Sequence, residues 1–152
     1  EMEGAEGFFA FDKNSDANDI RIYVDYNYKG YDDILTGSLL THELRHATFF
    51  VKSLQGTPAP TCIENEVAAF YSQIIFLSNL NEEEWKSITY RVGQNPHLNS
   101  AYEITNFLLL LNSEANNACS GAQGQTCWDD YAITHLKSWV EANPFYQNQC
   151  SI

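Results

Sequence analysis

Residues 33–80 read DILTGSLLTHELRHATFFVKSLQGTPAPTCIENEVAAFYSQIIFLSNL, and the fold turns on how this stretch is parsed. Leu35, Leu39, His42, His46, Phe49 and Phe50 recur at alternating helical intervals, which places them on one face of an α-helix. Asp32 or Asp33 caps its start, and Gly56 followed by Pro58 and Pro60 ends it after about Leu54. A second helix starts between Thr61 and Glu64 and runs to about Leu80. Few polar residues interrupt Ile63 to Leu77, so this second helix is expected to be largely buried.

Toward the N-terminus the pattern changes to β. Gly7 to Phe11 is a short aromatic strand, and DKNSDAND (residues 12–19) is a polar turn. Ile20, Ile22 and Val24 then alternate with Arg21, Tyr23 and Asp25, the period of a half-buried strand, which suggests an antiparallel pair. Toward the C-terminus three more helices are expected. One is capped by Asn81 and opens with three glutamates, ending near Val92; the next spans about His97 to Ala115. The last starts at Asp129 or Asp130 and stops before Pro144. The fold class is therefore α+β, a small N-terminal antiparallel sheet followed by helices. With no repeat or linker, residues 1–152 are expected to form a single domain.

Composition bounds the function. Of 152 residues, 44% are hydrophobic and 18% charged, which supplies a core and argues against disorder. Acids outnumber bases 20 to 8, a net charge of −12 that repels nucleic acids and anionic membrane surfaces. The longest apolar run, Phe107 to Leu111, is far below the ~20 residues of a membrane span. The four cysteines, Cys62, Cys119, Cys127 and Cys150, form no CxxC pair, and their even count fits two disulfides in an oxidising compartment. The short loop favours Cys119 with Cys127, leaving Cys62 with Cys150, although four cysteines permit three pairings and the sequence does not choose among them. Disulfides imply a secreted or periplasmic protein whose leader has been removed; four reduced thiols would instead imply the cytoplasm.

The chemistry sits at His42-Glu43-Leu44-Arg45-His46, an HExxH. On a helix the two imidazoles stand one turn apart and can share a Zn²⁺ ion. Glu43 would stand beside the open coordination position, where it can take a proton from water and pass it to a leaving amine. A catalytic zinc needs a third protein ligand. Phe49 and Lys52 stand where HExxHxxGxxH would place its glycine and third histidine, so that solution is excluded. Glu64 and Glu66, at the start of the second helix, remain as candidates. Glu64 also reads as a solvent-facing helix-start acid, whereas Glu66 sits deeper in an apolar segment, where a carboxylate needs a cation partner.

Thr41 to Thr48 (THELRHAT) followed by Asn65-Glu66 resembles the gluzincin branch of zincin metallopeptidases, in the compact minigluzincin range of size. The resemblance covers about residues 20–80. It implies that His42, His46 and Glu66 bind zinc and that Glu43 is the general base. It also implies that the strand from Ile20 to Tyr26 forms the upper edge of a cleft where a peptide or protein substrate adds as an extra strand. In the thermolysin-like pattern an aspartate four residues after the glutamate orients a zinc histidine. Phe70 stands there, so that partner is expected elsewhere, from Glu64 or a backbone carbonyl.

Oxyanion stabilisation is assigned to His135 on the last helix, with Tyr131 or Tyr102 as substitutes. Asp12, Asn14 and Asp16 imitate the opening of a calcium loop. Ala17 and Tyr23 occupy its obligatory glycine and glutamate positions, so a polar turn is the better reading. The function expected is a zinc-dependent metallopeptidase. Its alternatives are a non-catalytic zincin-like zinc-binding or interaction domain, and a latent form with Glu1 to Gly7 lying over the cleft.

Overall fold

The computed structural model describes residues 7–11, 20–29, 33–91, 94–120 and 124–151. The fold class is α+β, as expected. Two four-residue strands, β1 (Gly7–Ala10) and β2 (Arg21–Val24), pair antiparallel with Phe8 opposite Tyr23 and Phe9 opposite Ile22. The turn at 12–19, with its calcium-like acids, and residues 1–6 of the suggested latent strap lie outside the described residues. Asp25 caps a short 3-10 turn at Tyr26–Tyr28, whose Tyr28 is buried.

Six helices follow: α1 (Asp33–Leu54), α2 (Cys62–Ser78), α3 (Glu82–Arg91), α4 (Asn99–Ala118), α5 (Gly124–Ala142) and α6 (Pro144–Cys150). α1 ends where glycine permits it, at Gly56 with φ +86°, and the Thr57 N–H returns to the Lys52 carbonyl. α2 is the centre of the molecule, packed by α1, α4 and α5. Its Ala69, Ile74 and Leu77 are fully buried, and they meet Leu108 of α4 and Leu136 and Val140 of α5 in one core. Gly37 lets α1 approach: a Cβ there would lie 2.9 Å from the Phe76 ring.

The C-terminal third departs from expectation. α5 begins at Gly124, well before Asp129, because Asp129 does not act as a helix cap. Its carboxylate instead accepts the Tyr71 hydroxyl at 2.6 Å and the Gln125 amide at 2.6 Å. Pro144 does not end the helical chain; it occupies the first turn of α6, where a missing N–H costs nothing and Asn143 caps. α3 is capped by Asn81, whose side chain accepts from the N–H groups of Glu83 and Glu84. A 3-10 turn at Pro96–Leu98 precedes α4, which runs past Ala115 to Ala118. The disulfides join Cys62 to Cys150 and Cys119 to Cys127. No helix among the described residues is long and apolar enough to cross a membrane.

Candidate metal centre

α1 and α2 lie side by side in opposite directions, so that Gly37 meets Phe76, His42 meets Gln73 and His46 meets Asn65. One helical turn separates His42 from His46, and their ring centres stand 4.7 Å apart, edge to face. Glu66, on the second turn of α2, projects between them. Its Oε2 is 3.4 Å from His42 Nε2 and its Oε1 is 3.8 Å from His46 Nε2. One ligand atom from each of the three residues falls within 4.8 Å of the others, a grouping that could hold a metal ion.

The far nitrogens of both rings are tied down. His42 Nδ1 lies 2.9 Å from Gln73 Oε1, and His46 Nδ1 lies 2.9 Å from Asn65 Oδ1. Gln73 is fixed in that orientation because its Nε2 donates to Ser38 Oγ at 3.1 Å. An amide oxygen can only accept, so each Nδ1 carries a proton, and a ring that is neutral then turns its Nε2 lone pair toward Glu66. Burial holds His46 below the ordinary histidine pKa, aided by His42 and opposed by Glu66 and Asn65. With both rings neutral, three acceptors converge at a place where His42 and Glu66 are both buried. Such an arrangement is repulsive unless a cation sits between them. The partner expected in place of the aspartate is thus neither Glu64 nor a backbone carbonyl, but the side-chain amides of Gln73 and Asn65. An amide oxygen orients an imidazole as a carboxylate does, without adding charge.

Glu43 is 4% exposed and lines the same cavity as the two histidines and Glu66. Burial pushes its carboxyl above the ordinary glutamate range; Glu66 adds to this, while His42 and the backbone N–H of Phe9 oppose it. Glu64 plays no part in the centre. It is fully exposed and completes a capping box, its Oε2 accepting from the Thr61 N–H at 2.8 Å, which holds its carboxyl below the ordinary range. Gln149 of α6 is an addition that the sequence did not reveal: its Nε2 donates to Glu66 Oε1 at 2.9 Å.

A cavity of about 790 Å³ opens over the centre. One wall is aromatic, with Phe9, Phe11 and Phe50 in mutual contact; the opposite wall carries Phe70, Trp139 and Tyr146. Two expectations need correction. The strand along the cavity is β1, through Gly7, Phe8 and Phe9, and no residue of the Ile20 to Tyr26 stretch lines it, because β1 packs more closely on α1 than β2 does. His135 is not at the centre. α5 turns Ala132, Leu136 and Val140 to the core, so His135 faces solvent, its ring stacked on Tyr131 at 4.0 Å and its Nδ1 at the Tyr131 carbonyl. Tyr131 and Tyr102 do not line the cavity either, Tyr102 being part of the core. No protein-family model, curated protein or solved structure matches the chain.

Proposed function

We propose that the protein is a zinc-dependent metallopeptidase, with His42, His46 and Glu66 as metal ligands and Glu43 as general base. The observation that carries this reading is the convergence of two Nε2 atoms and one carboxylate, each imidazole held by an amide oxygen on its far nitrogen. Two imidazoles and a carboxylate suit Zn²⁺, and three ligands leave a position open for chemistry. Bound there, the ion would polarise a scissile carbonyl and lower the pKa of a water molecule.

The chain's own groups supply the rest. Gln73 and Asn65 hold the two rings in the metal-binding tautomer. The Glu43 carboxylate, made more basic by burial, accepts a proton from the attacking water and delivers it to the departing amide nitrogen. Aromatic side chains line the cavity around these groups and offer apolar surface to a substrate. A purely structural site has no use for a buried base, so Glu43 weighs against a non-catalytic domain. Two disulfides fit a secreted or periplasmic location, where such a centre would meet peptide or protein substrates.

The test is cleavage of a mixed peptide library by zinc-loaded wild type and zinc-loaded Glu43→Ala. Cleavage by the wild type, with at least a thousandfold loss in Glu43→Ala at equal zinc content, is the expected result. Full zinc occupancy with no cleavage by either protein would overturn the peptidase reading.

A further inference from the structure

The metal centre described above is made by α1 and α2, yet a third element reaches it. α6 is the last helix of the chain, with seven residues, too short to be stable alone. Two attachments hold it. Tyr146 packs against Phe70 at 5.5 Å and Trp139 at 5.9 Å between ring centres. Cys150 is bonded to Cys62, the first residue of α2 and one turn before Glu66. Gln149 stands next to Cys150, so a single covalent bond fixes the backbones of both the amide donor and the carboxylate acceptor. Across 83 residues of sequence, Gln149 Nε2 donates to Glu66 Oε1 at 2.9 Å.

A free carboxylate can bind a metal through one oxygen or through both. At Glu66 the two oxygens are not equivalent: Gln149 occupies Oε1, whereas Oε2 is the one nearer to a histidine Nε2. We propose that Gln149 is a positioning residue that holds Glu66 as a one-oxygen ligand through Oε2. The C-terminal helix thereby completes the metal centre and keeps one coordination position open. The inference rests on the reading of His42, His46 and Glu66 as a metal site. It concerns residues that neither the HExxH stretch nor the Asn-Glu pair contains.

Two consequences separate this role from mere packing. Losing the amide frees Oε1 and leaves the carboxylate without its donor, so metal affinity falls. The coordination also changes, because Glu66 can then offer both oxygens and add a ligand. Co²⁺ reports that change directly: its visible absorption is strongest with four ligands, falls with five and is weak with six. The Gln149 side chain is largely solvent-exposed, so its replacement leaves the core intact.

The experiment compares wild type with Gln149→Met, which keeps side-chain length and removes the donor. Zn²⁺ dissociation constants come from chelator competition, Co²⁺ spectra are recorded on the same preparations, and thermal midpoints check folding. Loss of an outer-shell partner weakens metal binding about 10- to 100-fold, and the lower end is expected at a solvent-exposed position. The Co²⁺ absorption should weaken as well, with little change in midpoint. If Gln149→Met fails to fold, Gln149→Asn carries the same test, since its shorter amide stays polar but falls short of Glu66. Unchanged affinity with an unchanged Co²⁺ spectrum overturns the proposal while leaving the metal site standing. A wild type that takes up neither Zn²⁺ nor Co²⁺ overturns both.

Discussion

At the scale of single residues, the centre works by proton placement. His42 and His46 turn their Nε2 atoms to Glu66 while Gln73 and Asn65 accept at the other side of each ring. Gln73→Leu or Asn65→Leu should therefore weaken Zn²⁺ binding about 10- to 100-fold, with the ligands themselves untouched, as read by chelator competition. The two histidines were legible in the sequence, since a spacing of four on a helix fixes their common face. Gln73 was not: it lies 31 residues from His42 and reaches it only through the packing of α1 on α2. His135 shows the reverse error, a chemically suitable residue one position off the buried face of its helix. A second proton is also displaced. Burial and the Asp129 carboxylate push the Tyr71 phenol up to about 12. Its folded value lies above the ordinary one of ~10, so the stability it contributes is complete below that pH and is lost as pH rises toward 12. In a spectrophotometric titration, wild type minus Tyr71→Phe should show one phenol ionising later than an ordinary tyrosine.

Among the elements, α2 carries the most consequence, because its first turn decides which glutamate stands beside the two histidines. Thr61 and Glu64 complete a capping box, and this leaves Glu66, two residues further on, to face α1. Replacing Thr61 with alanine should cost about 1 kcal/mol of stability, measured by denaturant unfolding. Glu64 and Glu66 were both open candidates from sequence, since each is an acid near a helix start. The depth of Glu66 in the apolar segment matches its burial beside the histidines, and the Thr-x-x-Glu signature at Thr61 marks Glu64 as the capping acid. α6 was hidden by reading Pro144 as a stop signal, when after Asn143 a proline opens a helix. The β elements were legible from period-two alternation, but not which strand would lie against α1, because that depends on packing rather than pattern.

On the scale of the whole molecule, two disulfides and one aromatic-walled cavity shape what a small chain can do. The Cys62–Cys150 bridge spans 88 residues and the Cys119–Cys127 bridge spans 8. By chain entropy the first should stabilise by about 4–5 kcal/mol and the second by about 2–3 kcal/mol. Replacing Cys62 and Cys150 with serine should accordingly lower the thermal midpoint more than replacing Cys119 and Cys127. Among the described residues that line the cavity the acids are Glu43 and Glu66, two of the 20 behind the net charge of −12. The account stands or falls on three side chains holding one ion. The measurement is zinc content and affinity, by elemental analysis and chelator competition, for wild type, Glu64→Ala and Glu66→Ala. The account predicts one zinc per chain in wild type and Glu64→Ala with equal affinity, and a loss of at least a hundredfold in Glu66→Ala. Equal binding by Glu66→Ala, or no binding by the wild type, would contradict it.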